Sequence, residues 1–533
     1  MIKINSYFKL ILIGVLLFIP FLGSIHLFDW DEANFAELAR EMILSKNYLQ
    51  PQINYLPFYE KPPLFIWFQV LSMKLFGINE FAARFPNAIL GIIVMLSLFL
   101  IGKKEKDERF GIFWVMTYIG SLLPFMYFRT GLIDPWFNYF MLISLYFYYI
   151  SVKESNYKNI IISALSLGLA VQTKGPVALI IVFGTLGIVW ILSKFQFFLG
   201  WGRSILWVIL TLFFSSFWFI YETYTHGTTY IYEFFIYQIR LFTTEDALHG
   251  GAFYYHFVVL LFGCFPASFF LFNRSIYKEN WNEHWFKIMT VCGVLVLILF
   301  SIVQTKIIHY SSMAYFPISY VAAKALASSE IELKKWQKYL LIVFALLLLL
   351  VLIIIPVLGV HLGDILPYIK DKQAQSQLLI PVTWTYLESI YALIFTLIFI
   401  VLYYKINRKE NFFFLLTPLF IVYFMVFYSP RIERYVQGHL IDFYKSKKGE
   451  NVDIVPLYIK SYACFYYANK QPFENNVTRT HNYYLNENIN RDAYFILRNK
   501  DAHNIDTSIL TYIKQSKQLH GYTMYIRKVK PTP

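Results

Sequence analysis

Tyr339-Leu-Leu-Ile-Val-Phe-Ala-Leu-Leu-Leu-Leu-Leu-Val-Leu-Ile-Ile-Ile-Pro356 runs without one charged side chain. A helix rises about 1.5 Å per residue, so a run of this length crosses most of the roughly 30 Å of hydrocarbon in a bilayer. The same reading holds outward in both directions, for Ile11 to Phe28, Phe110 to Phe128, Pro176 to Leu192, Ile205 to Tyr221, Phe253 to Phe272 and Phe412 to Tyr428. Further spans fall near 85–101, 135–151, 159–172, 286–303, 311–328 and 383–403. Of the 533 residues, 57% are hydrophobic and 15% charged, where a soluble chain carries roughly 25% charged residues. The fold class that follows is mainly α, a polytopic transmembrane helix bundle of about 13 spans.

The first apolar block follows a basic start with Lys3 and Lys9. It is long for a signal core, lacks a small-x-small cleavage site and is followed by further spans, so it reads as the first transmembrane helix. The net charge of +14 does not form one patch, which argues against a nucleic-acid partner. Instead Lys103, Lys104, Lys106 and Arg109, then Lys153 and Lys158, Lys194 and Arg203, Arg274 and Lys278, Lys334, Lys335 and Lys338, and Lys405, Arg408 and Lys409 all fall on one side if helices alternate. The positive-inside rule makes that side cytoplasmic. The N-terminus is then inside, and the stretch from Asp29 to Arg84 and the C-terminal tail are outside. Cys264, Cys292 and Cys464 offer no disulfide framework or metal finger.

Residues 1–430 form the membrane domain, with outer loops at 29–84 and 222–252. In the first loop, Glu32 to Leu44 has Phe35, Leu38, Ala39, Met42 and Ile43 at helical spacing with Glu37, Arg40 and Glu41 elsewhere, so a helix lying in the membrane interface is expected. A second helix, Pro62 to Phe76, follows. Past 430 apolar spans cease, and 431–533 reads as a small α/β extracytoplasmic domain. Its expected elements are a helix at 431–446, a strand near Asp453 to Leu457, a helix near 461–469 and strands near Ala493 to Leu497 and Met524 to Arg527. There is no internal repeat and no glycine-rich phosphate loop, so no nucleotide cofactor is expected.

Carboxylates avoid the spans and gather at outer helix ends: Asp31 and Glu32, Glu60 beside Lys61, Asp134 in Leu132-Ile-Asp134-Pro135, and Glu245-Asp246 with His249. Each has an ordinary explanation as a helix cap, a dipole partner or a solvated loop residue, and Glu60 has Lys61 or Arg84 as a partner within its own loop. Lys61, Lys174, Arg240 and Lys306 stand on the outer side against the charge bias, which favours an anionic partner there. A transporter or flippase would place ionisable groups near the midplane. Here they lie at one end, which favours an enzyme over transport; an inactive receptor whose tail binds a partner is a third reading, which replacement of Asp31 separates from an enzyme.

The stretch Asp31-Glu-Ala-Asn-Phe-Ala-Glu-Leu-Ala-Arg-Glu-Met42, then Phe58-Tyr-Glu-Lys-Pro-Pro63 and Phe76-Gly-Ile-Asn-Glu-Phe-Ala-Ala-Arg84, resembles the first outer loop of the bacterial aminoarabinose (4-amino-4-deoxy-L-arabinose) transferases of lipid A. These belong with the protein O-mannosyltransferases in the GT-C class of glycosyltransferases. Thr173-Lys-Gly-Pro176, Glu245-Asp-Ala-Leu-His249 before Phe253-Tyr-Tyr255, and Lys306 followed by Tyr310 match in the same order. The resemblance covers about residues 10 to 325 of the sequence. It implies that Asp31 is the catalytic aspartate, that Asp134 is the second acidic residue positioning it, that Glu60 and His249 hold a divalent metal and that Lys61 touches the carrier phosphate. Where the family commonly has Asp-Glu-Pro-Arg or Asp-Glu-Thr-Arg, this chain has Asp31-Glu32-Ala33-Asn34, and Pro266-Ala267 replaces an expected Pro-Trp pair.

The implied reaction moves a sugar from a polyprenyl (undecaprenyl) phosphate carrier to an envelope acceptor, with inversion at the anomeric carbon. The departing phosphate needs cations or a metal, which assigns Lys61, Arg240, Lys306 and Tyr310 to the carrier phosphate. Zinc or manganese suits Glu60 and His249. A hydroxyl acceptor needs a base, for which Asp31 is the first choice, with Asp134 and Glu32 beside it; a phosphate acceptor, already ionised, needs none, and Asp31 then orients it or stabilises charge. The expected acceptor is lipid A or lipopolysaccharide, with another glycan or a protein as the alternative within the same class. The expected location is a bacterial inner membrane, with the site and the C-terminal domain on the periplasmic side.

Overall fold

The computed structural model describes residues 5–245, 250–328, 333–406, 408–459, 461–472, 489, 491–504, 513 and 515–529. The chain opens with α1 (Ser6–Phe18), α2 (Asp31–Ser45), a hairpin of β1 (Gln52–Ile53) and β2 (Leu56–Pro57), then α3 (Leu64–Phe76), α4 (Glu80–Glu105), α5 (Glu108–Ile119), α6 (Leu122–Tyr127), α7 (Asp134–Glu154) and α8 (Tyr157–Lys174). The middle of the bundle is α9 (Val177–Leu192), α10 (Trp201–His226), α11 (Thr229–Thr243), α12 (Tyr255–Gly263), α13 (Arg274–Asn280), α14 (His284–Ile302) and α15 (Tyr315–Ala327). It closes with α16 (Lys335–Val360), the short α17 (Leu362–Ile365) and α18 (Lys372–Leu378), α19 (Tyr386–Lys405) and α20 (Lys409–Phe427). The tail holds α21 (Ser429–Glu433), a π-helical turn Arg434–Gly438, α22 (His439–Ser446), β3 (Val452–Pro456), α23 (Ala463–Tyr467), β4 (Asp492–Arg498), β5 (Gln515–Leu519) and β6 (Tyr522–Arg527).

Among the described residues six helices, α4, α10, α14, α16, α19 and α20, are long and apolar enough to cross a membrane. Each remaining expected span also falls at least partly on helix: the first, 11–28, is helical only as far as Phe18, and three others are broken. The span 110–128 becomes α5 and α6, parted at Gly120, where a Cβ would meet Phe414 Cβ at 2.7 Å. The span 253–272 becomes α12 and a 3-10 helix Ala267–Phe272, parted at Pro266, which has no N–H to give the ladder. The span 311–328 begins as a 3-10 helix, Ile308–Ala314, before α15. On the lipid side α16 leaves Val343, Leu346, Leu347 and Leu350 exposed, and α19 leaves Leu393, Ile394, Leu397 and Ile398 exposed. Contiguous apolar surface of that extent calls for a nonaqueous partner.

The tail sheet is mixed, in the order β3-β4-β6-β5, with β3 parallel to β4 and the other pairs antiparallel. Side chains alternate across it. Leu457, Ala493, Phe495 and Leu497 form a small core on one face. On the other face, Ile454, Tyr494, Ile496 and Met524 join Phe35, Leu38, Phe65, Ile66 and Val70 of α2 and α3. The tail therefore shares a core with the first loop.

That sharing corrects the expected setting of α2. Glu37, Arg40 and Glu41 are all buried, because the tail and the β1–β2 hairpin cover the polar face that an interfacial helix turns to water. Arg40 holds Glu37 with two bonds, Nε to Oε2 at 2.6 Å and Nη2 to Oε1 at 2.7 Å, and donates through Nη1 to Lys470 O at 2.9 Å. Glu41 accepts the backbone N–H groups of Asn54 and Tyr55, both at 2.7 Å. Tyr467 Oη accepts from Leu27 N at 2.8 Å, and Gln437 donates to Leu27 O at 2.9 Å. The loop that starts at Asp29 and the tail that starts past 430 thus lie together at one end of the bundle.

Candidate active site

α2 begins abruptly. Trp30, its N-cap, has φ +82°, a region that bulky residues rarely enter and that marks stored strain. It is held there by Asn34 N to Trp30 O at 2.9 Å and by Glu32 Oε2, which accepts Phe28 N at 2.7 Å. The consequence is that Asp31 and Glu32 leave the same turn in different directions. Asp31 opens onto a cavity that Asn34, Glu60, Lys61, Lys174, His309, Tyr310 and Tyr462 also line. Glu32 turns into the protein and is 1% exposed.

Asp134 is the first residue of α7, with Pro135 following, a helix start that tolerates proline because that N–H has no ladder partner. Its Oδ1 accepts Lys174 Nζ at 2.5 Å, from the last turn of α8. Its Oδ2 is buried without a hydrogen-bond partner among the described residues. His309, in the 3-10 turn ahead of α15, places Nε2 3.2 Å from Asp31 Oδ2 and 3.7 Å from Asp134 Oδ2. Two carboxylates from distant segments therefore face one imidazole and one ammonium group.

Burial pushes the Asp31 carboxyl upward, but the hydrogen bond and charge of His309 and the charges of Lys61 and Lys174 outweigh it and hold Asp31 below its ordinary value. Lys61 moves the other way. Burial and the neighbouring Lys174 lower it, against the pull of Glu60, Asp31 and Asp134. Its ammonium lies 4.6 Å over the Tyr237 ring and donates to Glu60 O at 3.3 Å, and Tyr230 Oη fixes the Lys61 carbonyl at 2.9 Å. Lys174 lies 4.8 Å over the Tyr310 ring. Two ammonium groups near each other in a closing, partly apolar cavity make a strong site for an anion. Beyond them a second, largely apolar pocket runs between Pro176, Val177 and Ile180 of α9 and Phe242 and Phe300, and shares Lys61, Lys174 and Tyr310 with the first.

Of the residues expected from the sequence, Asp31, Asp134, Glu60, Lys61 and Tyr310 converge on this place. Glu32 has a different setting: it accepts Arg84 Nε at 2.7 Å, Arg84 Nη2 at 2.8 Å, Phe28 N at 2.7 Å and Gly131 N at 2.5 Å. Gly131 is needed for that approach, since a Cβ there would stand 3.2 Å from Glu32 Cγ. Lys306 is turned from the cavity, its ammonium donating to Phe300 O at 3.1 Å, Ser301 O at 2.7 Å and Val303 O. It caps the carbonyl end of α14, where a cation is favourable. Arg240 is exposed on α11, 5.1 Å from the Tyr237 ring. His249 and Asp246 lie outside the described residues. Among the described residues no three His, Cys, Asp or Glu side chains are grouped to hold a metal ion.

Sequence reasoning missed His309, which sits between Lys306 and Tyr310 in a segment read only for those two. It also left Lys174 without its partner Asp134, and gave the tail no part in the site. Tyr462 lines the cavity, fixed by its N–H to Asn34 Oδ1 at 3.1 Å, while Ser461 Oγ donates to Asp29. Asn34 stands where the resembling family carries arginine, and here it serves to dock the tail.

Comparison with known proteins finds relatives in both sequence and fold. Residues 60–221 match the family model described as dolichyl-phosphate-mannose-protein mannosyltransferase. The undecaprenyl phosphate-alpha-4-amino-4-deoxy-L-arabinose arabinosyl transferase of Wigglesworthia glossinidia brevipalpis is 28% identical over 322 residues, 57% of this chain and 56% of its own length. That of Edwardsiella ictaluri (strain 93-146) is 25% identical over 331 residues, 60% of this chain and 59% of its own length. The chain thus spans less than two thirds of the length of the curated relatives it matches. In fold the likeness extends further: the crystal structure of ArnT from Cupriavidus metallidurans bound to undecaprenyl phosphate has a TM-score of 0.74 at 14% identity, covering 97% of both chains. The chain has the ArnT fold, with several apolar spans and a small C-terminal mixed sheet, and the resemblance read from its outer-loop motifs is borne out.

Proposed function

We propose that the chain is a membrane glycosyltransferase that moves a sugar from undecaprenyl phosphate to lipid A, working at the tail end of the bundle. The observation that carries this reading is the meeting of Asp31 and Asp134 with Lys61 and Lys174 at the mouth of an apolar pocket. A polyprenyl-phosphate sugar is an apolar chain joined to an anion joined to a sugar, and that order of apolar wall, paired cations and carboxylates suits it. The curated relatives named above are described as acting on an undecaprenyl phosphate aminoarabinose, which supports 4-amino-4-deoxy-L-arabinose as the sugar.

In the proposed reaction an acceptor oxygen attacks the anomeric carbon from the face opposite the phosphate. The new C–O bond forms as the bond to phosphate breaks, and the anomeric centre inverts. Lys61 and Lys174 stabilise charge on the departing phosphate, with Tyr310 beside them. Asp31, ionised because those same cations hold it so, takes the proton of an acceptor hydroxyl. Asp134 holds Lys174. Arg240, near the rim on α11, would meet the carrier from outside the cavity. A divalent ion, zinc or manganese, belongs to the same proposal: Glu60 fits as a ligand because it lines the cavity, with His249 as the second, and when bound the ion would add positive charge beside the phosphate.

The thirteen apolar segments are read as passes through a bacterial inner membrane, with basic loops inside and both site and tail in the periplasm. A second reading is favoured by the protein mannosyltransferase description that residues 60–221 match: the same transfer, with a protein hydroxyl as acceptor. Incubating the purified protein with undecaprenyl phosphate aminoarabinose and either lipid A or unfolded envelope protein, followed by mass spectrometry, separates the two. A pentosyl-amine mass gain on lipid A is the expected result, and no gain on either acceptor by folded protein would refute both.

A further inference from the structure

We propose that His309 is a positioning residue for this transfer, a single imidazole that ties Asp31 to Asp134 and thereby decides which oxygen of Asp31 meets the acceptor. The inference rests on the reading of Asp31 as the base and adds to it how that base is aimed. Asp31 and Asp134 open two different helices, and like charges brought to one place repel and disfavour ionisation. Lys174 satisfies Asp134 Oδ1 only. The remaining oxygens, Asp31 Oδ2 and Asp134 Oδ2, both point at His309 Nε2, at 3.2 and 3.7 Å. One N–H can serve only one of them well, and the shorter distance goes to Asp31. With Oδ2 engaged, Oδ1 is left as the proton acceptor.

The ring is held so that it can do this. Ser312 Oγ donates to His309 O, and Asn138, one turn into α7 from Asp134, donates to Ser312 Oγ at 2.7 Å. The imidazole is thus referenced to the same helix that carries Asp134. Tyr310 packs edge-on to it, with ring centroids 5.6 Å apart, and only 12% of the side chain is exposed. The charged and titratable groups around it among the described residues are Asp31 on α2, Glu60 and Lys61 in the loop before α3, Asp134 on α7, Lys174 on α8, Tyr237 on α11, His256 on α12, Lys306 and Tyr310 on its own segment, and Tyr462 of the tail. Among the described residues the carboxylates of Asp31 and Asp134 both lie within 4 Å of Nε2.

During the step the acceptor proton passes to Asp31 Oδ1 while the bond from the anomeric carbon to phosphate breaks. His309 keeps its Nε2 proton and moves none. Replacing it removes the hydrogen bond and charge that keep Asp31 low and leaves burial to act, so Asp31 rises and the base is lost as the pH falls.

The test compares His309→Ala and His309→Gln with the intact chain, using undecaprenyl phosphate aminoarabinose and lipid A from pH 4.5 to 8. For His309→Ala we expect a kcat loss of about 10- to 100-fold, a donor KM within about twofold, and an acid limb of kcat/KM moved to higher pH, because burial then acts on Asp31 without its partner. His309→Gln, which keeps an N–H donor, should recover much of the rate at pH 7. A wild-type rate and pH profile in His309→Ala would overturn the proposal. So would loss of fold and of undecaprenyl phosphate binding in both variants, which would make His309 a structural prop. Failure of the underlying reading is seen separately, as undiminished transfer by Asp31→Asn.

Discussion

Asp31 and Glu32 are adjacent, both acidic, both in the first turn of α2, and the fold treats them oppositely. Glu32 has every acceptor position filled by protein: Arg84 twice, and the N–H groups of Phe28 and Gly131. It welds the segment between α1 and α2, the start of α4 and the approach to α7 into one block. Among the described residues Asp31 has one hydrogen-bond partner, His309, and it keeps a third of its side chain open to the cavity. A carboxylate whose lone pairs are saturated by fixed donors is architecture. One left partly unsatisfied beside ammonium groups and an opening is available for chemistry.

The contrast breaks most sharply at Asp31 itself. Asp31→Asn keeps shape but loses the base, and should lower kcat by about 10²- to 10⁴-fold with unchanged thermal unfolding. Turnover and a melting curve in detergent check both halves. Glu32→Gln should do the reverse, because Arg84 is left as a buried charge without its counterion: a destabilisation of about 3–5 kcal/mol, read as a lowered midpoint of unfolding, with transfer retained by the fraction that folds. Equal loss of rate at full stability would erase the distinction between the two residues.

A smaller effect sharpens the contrast among the lysines. Lys61→Met should weaken binding of undecaprenyl phosphate by about 10- to 100-fold, the scale of a lost charge-assisted hydrogen bond. It also removes one charge that holds Asp31 low. An ionised base stays active as pH falls until its own pKa is reached, so a raised Asp31 pKa means the rate at pH 5 drops relative to pH 7, more in the variant than in the wild type. Lys306→Met should cost about 1 kcal/mol of stability, the value of a cation at a helix C-terminus, and leave the affinity for undecaprenyl phosphate within about twofold. A large loss of affinity would return Lys306 to the carrier phosphate.

Much of this was legible in the chain. Hydropathy located helix at every expected span except the second half of the first, where the chain leaves helix at Phe18, and the tail elements fell within a few residues of β3, α23, β4 and β6. Asp31, Glu60, Lys61 and Asp134 could be brought to one outer face because charged residues gather at the outer helix ends, and Tyr310, nearly 280 positions from Asp31, through the family resemblance. What was not legible depended on direction. Nothing in Asp31-Glu32 says which carboxylate faces inward, since a twist at Trp30 decides it. The polar face of α2 carries Glu37, Arg40 and Glu41 and looks solvated, but the tail closes over it, a contact more than 400 residues away in sequence. His309 lies among apolar and small residues with no spacing motif to mark it. β5 reads Gln515-Ser-Lys-Gln-Leu519, too polar to announce a strand; it is an edge held only by β6.

The central claim is that the chain transfers a polyprenyl-phosphate-linked sugar by direct displacement at Asp31. The most direct measurement is single-turnover transfer by the purified full chain from undecaprenyl phosphate aminoarabinose to lipid A, with the anomeric configuration of donor and product assigned by NMR. The account predicts one sugar transferred per active chain, with the configuration inverted. Retained configuration, or an untouched donor in the presence of folded protein that binds undecaprenyl phosphate, would contradict it.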